Sequence, residues 1–524
     1  MKYFRYSLLP LLLLNMMPIQ GYRILCVFPY NGKSHYQITG ALCRALAKYG
    51  HQIDMISHFP SKTSIANYTD IVDLHGTRQA VVNSFSIHYA KQIDAATIFH
   101  IATTFGGDLC ALLGHERMQK FIKNPPNDPP YDLVITEYFG SSCYFGFGRF
   151  FNVPLIAIVA SQEYAFMNEV VGNPTSSSFF PCILVEYPVL SNFWQRLTNT
   201  VQNFIQPRLF NYYSSPQTDD MRKYLRKDMP DIREVEKDIA LLFVNSHYVI
   251  HGIRPVTPAF VEIAGLHVEM DQSQLTPELQ EWMNNADDGV VYFTLGSLVN
   301  IETLPNNSLL GLYESFRKIA PIKVLMKIGN KHELPPGLPS NVMTSPWIPQ
   351  TAVLRHHNTR VFISHGGAMG SIETLYYGVP VIGIPLFADQ HRNINMFVYK
   401  GMGVKLYYDK LSEKIMDAAL NTVLNNSSYM ESAKREAFKF KDRPLKPQEV
   451  ANFWTEYVIR NGQNILRSPT MDMPWWQTNL IDIYGFLTVC IIVTAYFLAI
   501  VVKILMNIFV KHTSILETSK LKEY

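Results

Sequence analysis

The stretch "FISHGGAMGSIE", Phe362 to Glu373, decides how the rest of the chain is read. Its apolar start, "RVFI", has the look of a strand that ends at Ser364. Gly366, Gly367 and Gly370 should weaken a helix, yet helical spacing resumes at once in Ile372, Leu375 and Tyr376. A histidine and flexible backbone at a strand-to-helix junction fit one arrangement well. His365 to Gly367 then occupy the carboxyl end of a parallel strand, where open α/β sheets bind ligands and the next helix presents unpaired N–H groups. Glycines let the backbone approach an anion closely, and histidine can donate to a phosphate oxygen. The bland alternative is a tight βα turn with no ligand.

The neighbouring sequence extends the pattern. Glu373 follows about two turns into the helix, where a carboxylate can accept from sugar hydroxyls. "PLFADQ" brings Asp389 and Gln390 to the end of the next strand, beside the same crevice, and "SPWIPQ" offers Trp347 as a flat surface and Gln350 as an amide. Taken singly, Glu373 could be a solvated helix residue and Trp347 a core aromatic; their joint spacing favours a site. Around them runs a βα series of "DGVVYFTLGS" (Asp288 to Ser297), "IKVLMKI", "NVMTS", "TRVFISHGG", "VPVIGIPL" and "GVKLYY".

An earlier series begins with the strand-like "YRILCVFP", Tyr22 to Pro29. A helix follows, with Ile38, Ala41, Leu42, Ala45 and Leu46 at helical spacing, and then "QIDMIS". Strand, helix and strand in this order make a βαβ unit. "YDLVITE" (Tyr131 to Glu137) and "VPLIAIVA" (Val153 to Ala160) read as further buried strands. The aromatic run "YFGSSCYFGFGRFF" between them is expected to form a helix lining an apolar cavity. Its GFGRFF lacks the third glycine of a dinucleotide fingerprint. Residues 161–230 show no clear period. The fold class is therefore α/β: two doubly wound halves, 22–265 and 288–446, joined by a linker at 266–287 and followed by a last helix at 447–461.

Composition and the chain ends bound the setting. The 524 residues carry 46 basic and 43 acidic side chains, a balance that gives no support to a nucleic-acid binder. Six cysteines without metal-ligand spacing indicate neither a zinc module nor a disulfide framework. Lys2 and Arg5 before the apolar run Leu8 to Leu14, with small Gly21 beyond, predict a signal peptide over 1–21. Near the other end, Ile483 to Val502 is uncharged, and such a run spans a hydrocarbon layer of ~30 Å. A membrane helix is expected over 481–502, with 503–524 as a cytoplasmic tail, since Lys503, Lys511, Lys520 and Lys522 lie there. The body is then lumenal on a single-pass type I anchor. The terminal "KLKEY" resembles a dilysine retrieval signal to the endoplasmic reticulum, and the sequons at Asn67, Asn306, Asn425 and Asn426 become usable for glycosylation.

Trp347-x-x-Gln350, His365-Gly-Gly, Glu373, Pro380, Pro385 and Asp389-Gln390 together resemble the signature of the UDP-glycosyltransferases. "HGIRPVTP", "EIAGLH", "KDRPLKP" and "FWTEYVIRNG" are similar to its membrane-bound animal branch, particularly insect members. The resemblance implies a GT-B fold, two Rossmann-like domains facing across a cleft. The second half would bind the sugar nucleotide and the first half the acceptor. Trp347 would stack on uracil with Gln350 nearby. His365, Gly366, Gly367, Gly370 and Ser371 would hold the diphosphate together with Ser297, while Glu373 would bind ribose and Asp389 with Gln390 the hexose. Met369, Ala352 and His357 depart from the family pattern.

Glycosyl transfer needs a base for the acceptor hydroxyl, and a histidine with a pKa of ~6.5 can serve. His35 ends the first βα loop; the family's catalytic base aligns with it, and the family's orienting aspartate falls on Glu137. As residues alone, a lone histidine such as His35 is more often an N-terminal helix residue with no chemistry, and a structural strand-end carboxylate is the alternative for Glu137. The resemblance further implies inversion, a UDP-sugar co-substrate (UDP-glucose for this branch) and no other cofactor. No DxD triplet occurs, which agrees with metal independence. It also implies small lipophilic acceptors and a detoxification role, and leaves homo- or hetero-oligomers open. The alternative is a weakly active or inactive ligand-binding protein on the same scaffold.

Overall fold

The computed structural model describes residues 21–520, with side chains through Leu516. Apart from Gly21, the expected signal peptide lies outside the described residues, as does Lys522 of the tail. The first sheet has seven strands in the order β3-β2-β1-β4-β5-β6-β7, all pairing parallel. They are β1 Arg23–Phe28, β2 Gln52–Ser57, β3 Tyr68–Asp73, β4 Leu133–Glu137, β5 Leu155–Val159, β6 Ile239–Val244 and β7 Phe260–Glu262. The second sheet runs β10-β9-β8-β11-β12-β13, also parallel throughout. Its strands are β8 Val290–Thr294, β9 Lys323–Lys327, β10 Val342–Ser345, β11 Thr359–Ser364, β12 Val381–Gly383 and β13 Gly403–Lys405.

The central strands are continuous apolar runs, as parallel strands covered on both faces require. β4, β5, β6 and β8 are buried at every residue. Helix Lys33–Lys48 covers β1 with Ile38, Ala41, Leu42, Ala45 and Leu46, all buried. Helix Pro447–Asn461 returns to the first half, where His51 Nε2 and Asn452 Oδ1 lie 2.9 Å apart. The halves are also stitched by a segment of the first. Asn83 N donates to Ser297 O at 2.7 Å, and Phe85, Ile87, Ala90 and Ile93 join the apolar core of the second sheet.

Four expectations are corrected. The run 138–151 is not one helix: a 3-10 turn at Ser142–Phe145 leads into the short helix Gly146–Phe151, both packed in the core, and within the run it is Phe139, ahead of the turn, that lines the cavity. Cys110 and Cys143 are disulfide-bonded, a pairing only the fold could bring together across 33 residues. Within 161–230, where no period was read, Phe193–Ser214 forms a 22-residue helix with Pro207 inside it. The C-terminal helix does not stop at 502 but runs Ile481–Lys520, because no glycine or proline follows Gly485 and apolar residues continue past Lys503.

Residues through Arg467 make one compact unit, and Ser468 onward a second. That second unit is a short turn, a small helix at Trp475–Thr478 and the long apolar helix. Its stretch Ile481–Leu516 is long and apolar enough to cross a membrane and fits a single transmembrane helix.

Candidate active site

In each sheet the strand order reverses once, between β1 and β4 and between β8 and β11. Those two switch points, where α/β sheets open a crevice at their carboxyl ends, face one cavity of about 710 Å³ lined by both halves.

On the first-half wall, His35 follows β1 and Glu137 ends β4. The adjacent strands bring His35 Nδ1 within 2.5 Å of Glu137 Oε1. Glu137 is buried, 3% exposed, so its carboxylate is held at this one partner. Tyr30 and Phe139 flank the imidazole, each with ring centroids 4.6 Å from it. A carboxylate only accepts, so Nδ1 carries a proton in this pair, and it is the neutral form of the ring that has its lone pair on Nε2. Phe85, Phe105 and Tyr164 continue this wall as an apolar surface.

The second-half wall is built for an anion. Ser297 Oγ and His365 Nδ1 are buried without a hydrogen-bond partner among the described residues, and both residues line the cavity. Burial, and then the charge of Lys327, push the His365 pKa down to about 4, so this imidazole is neutral at pH 7. Close packing explains the glycines beside it: a Cβ on Gly296 or Gly367 would lie 2.4 or 2.5 Å from the ring. Helix Ala368–Tyr377 starts at Gly367 with no side-chain cap, which leaves its first N–H groups available at the cavity. Gly366 and Ser371 brace the turn and do not line the cavity. Ser371 Oγ donates to Gly366 O at 3.1 Å, and Asn393 Nδ2 to the same oxygen at 2.9 Å.

Trp347 lies on the wall with Lys33 Nζ 4.4 Å from its ring centroid. Gln350 Nε2 donates to Glu373 Oε2 at 2.5 Å, which leaves Glu373 Oε1 unpaired on a side chain of a residue only 1% exposed. At Gly370 a Cβ would approach Gln350 Nε2 to 3.2 Å, a tight contact with the amide that holds Glu373. Asp389 accepts from Asn393 Nδ2 at 2.7 Å, and burial raises its pKa to about 6. The carbonyl of Gln390 is committed to the loop, accepting from Leu386 N at 2.9 Å and Phe387 N at 3.1 Å; its amide nitrogen remains. Of the three departures, Met369 packs with Sδ 3.8 Å from Asn245 Nδ2, Ala352 is buried, and His357 stacks on His356.

Two residues escaped the sequence reading. Lys327 ends β9, buried at 7% exposure, its ammonium donating to Gly296 O at 2.9 Å and to Asn83 Oδ1. Burial lowers its pKa to about 8. The strand-end rule that singled out Ser297 and His365 would have found it. His267, from the linker, lines the cavity; neither ring nitrogen makes a hydrogen bond among the described residues, and Nε2 lies within ion-pair distance of Glu373 Oε1, at 3.5 Å. No local pattern marks it. Among the described residues no cluster of three His, Cys, Asp or Glu side chains could hold a metal ion.

Comparison with known proteins is in keeping with this geometry. Residues 110–515 match the family described as UDP-glucoronosyl and UDP-glucosyl transferase. UDP-glucosyltransferase 2 of Dactylopius coccus is 36% identical over 491 residues, 93% of either chain. UDP-glucuronosyltransferase 2B1 of Rattus norvegicus is 32% identical, over 88% of this chain and 89% of its own. The crystal structure of glycosyltransferase VinC in complex with DTDP superimposes with a TM-score of 0.57 at 15% identity, covering 84% of this chain and all of that one, a likeness of GT-B fold alone. The chain belongs to the UDP-glucuronosyl and UDP-glucosyl transferase family and is a UDP-glycosyltransferase.

Proposed function

We propose that the protein transfers glucose from UDP-glucose to a hydroxyl of a small lipophilic acceptor, with inversion, and that His35 is the general base. The observation that carries this reading is the His35–Glu137 pair on one wall of the cavity, opposite the anion-directed wall of Ser297, Lys327 and His365. An acceptor hydroxyl at His35 Nε2 gives up its proton as its oxygen attacks the anomeric carbon. Glu137 stabilises the imidazolium that forms. The UDP leaving group departs toward the second half, where Lys327, the Ser297 hydroxyl and the open helix N-terminus stabilise its charge. Nucleophile and leaving group then lie on opposite sides of the sugar, the geometry of inversion. These donors supply the electrostatic stabilisation in a mechanism we take to be metal-independent. Trp347, Gln350 and Glu373 would hold the nucleoside, and Asp389 with the Gln390 amide the hexose.

Glucose is favoured by the 36% identity to an insect glucosyltransferase over 93% of the chain. The apolar first-half wall suits lipophilic acceptors, and with the C-terminal anchor it fits conjugation and detoxification in the endoplasmic reticulum membrane, the body lumenal. The test is acceptor-dependent UDP release by membranes carrying the full chain, with UDP-glucose or UDP-glucuronate and a panel of phenols and other alcohols. His35→Ala should lower kcat by ~10²–10⁴-fold while UDP-glucose still protects the variant against heat. Release that survives the substitution removes His35 from its role. Protection without release for any acceptor favours the non-catalytic binder.

A further inference from the structure

Cys26 and Cys43 face each other between β1 and the helix that covers it. Cys26 lies within the strand, paired with Met55 of β2 and Ile135 of β4, and Cys43 is on the buried side of helix Lys33–Lys48. Both are 0% exposed, in an apolar core that also holds Ile24, Ile38, Leu42 and Leu46. Their Sγ atoms are 2.7 Å apart, with no bond between them in the structure. Two unbonded sulfurs do not pack so closely, and an S–S bond of ~2.0 Å is a small movement away.

We propose that Cys26 and Cys43 form a second disulfide, which closes the loop carrying His35. The surroundings disfavour other uses of the pair. Neither cysteine lines the cavity, so they are no catalytic dithiol. Among the described residues no third His, Cys, Asp or Glu completes a metal site. Of the other two free cysteines, Cys182 Sγ is met by Gln206 Nε2 at 3.4 Å, and Cys490 lies on the C-terminal helix. The Cys110–Cys143 bond of the same half fits an oxidising compartment, where a second bond would persist. In this respect the proposal rests on the lumenal reading above.

The step is thiol–disulfide exchange with a protein or glutathione disulfide of that compartment. One cysteine thiolate attacks the acceptor disulfide, giving a mixed disulfide and expelling one acceptor thiolate. The other cysteine thiolate then attacks the cysteine sulfur of the mixed bond and expels the second. The pair loses two electrons and two protons, and the acceptor disulfide takes them up as two thiols. Burial, and then the contact with Cys43, push the Cys26 thiol well above its ordinary range. Exchange therefore belongs to folding, before the helix closes on β1. The same burial afterwards shields the bond from reductants.

The bond bears on the site. The loop it closes includes Tyr30, Lys33, His35 and Gln37, all of which line the cavity. β1 pairs with β4, whose Glu137 meets His35. The cross-link thus pins the helix to that sheet about two turns beyond the base.

The test maps thiols in the full chain made in the secretory pathway of insect cells. Membranes are denatured in mildly acidic N-ethylmaleimide without reductant and digested with trypsin. Cleavage after Arg23, Lys33 and Arg44 puts the two cysteines on separate peptides, Ile24–Lys33 and Ser34–Arg44. Mass spectrometry should find these peptides joined, lighter by two hydrogens than the sum of their thiol forms, and split by reductant. Both peptides alkylated, or either joined to another cysteine, would overturn the proposal. Cys110 and Cys143 are the internal control: their linkage beside alkylated Cys26 and Cys43 rejects the second bond alone, and alkylation of all four rejects the lumenal reading with it. In Cys43→Ser, Cys26 should become alkylated, and turnover per UDP-binding site should fall several-fold at unchanged KM for UDP-glucose. Counting only sites that bind UDP removes any unfolded fraction, so turnover equal to the wild type would overturn the hold on His35.

Discussion

Lys327 couples burial to charge at the anion-directed wall. Its pKa of about 8 lies below the ordinary lysine value because burial disfavours the ammonium. As pH rises past 8, the free enzyme loses the cation expected to meet the diphosphate, so KM for UDP-glucose should climb. Stability should move the other way. Between pH 8 and about 10.5 the unfolded chain still holds the proton that the folded chain has released, so this residue's contribution to stability rises with pH. Lys327→Met should raise the donor KM and abolish both slopes, checked by initial rates and thermal melts across pH 7 to 10. Gly296 is constrained just as tightly. With φ at +83° and a Cβ position 2.4 Å from the His365 imidazole, Gly296→Ala meets both backbone strain and a clash. A cost of about 1–3 kcal/mol is expected, read as a lower melting temperature and weaker UDP binding by calorimetry. The spacing of His365, Glu373 and Asp389 was readable in the sequence because His365 and Asp389 follow strands and Glu373 lies about two turns into the helix between them. His267 was not, because only folding of the linker aims it at Glu373.

Among the elements, the six runs read in the second half coincide with β8 to β13. In the first half β3, β6 and β7 went unread. β3 is a partly exposed edge strand, β7 has three residues, and β6 follows a long segment without a clear pattern. The Cys110–Cys143 bond joins the helical segment before β4 to the turn after it. In the chain-entropy picture a loop of this length is worth about 3–4 kcal/mol. Cys143→Ser should therefore melt several degrees lower than the wild type by scanning calorimetry, and a reductant should lower the wild type by more than the variant. Equal melts and equal reductant shifts would show that the bond constrains little.

For the whole molecule, the decisive contact is between the halves. Arg392 is 1% exposed; it leaves the second-half helix Gln390–Tyr399 to donate to His251 O at 2.8 Å and to Gln162 Oε1, both in the first half. Hydrogen bonds to a charged group contribute about 1.5–3 kcal/mol each. Arg392→Ala leaves both acceptors buried and unpaired, and should lower the melting temperature and split a single unfolding transition into two. Arg392→Lys should restore part of the loss. A single unshifted transition would mean that other contacts, such as the Asn83–Phe85 pairing with the loop after β8, hold the halves together.

The sequence by itself determined that each half is a parallel α/β layer and that its chemistry gathers at strand carboxyl ends, because apolar runs, glycine turns and helical spacing are local patterns. It named His35 and Glu137 through family likeness; their hydrogen bond across 102 residues is a fact of the sheet order β1-β4. Only the tertiary structure decided that Lys327 and His267 face the cavity, that Cys110 pairs with Cys143, and that Cys43 on one face of its helix meets Cys26 of β1. Periodicity tells which residues share a face. What covers that face depends on the rest of the chain.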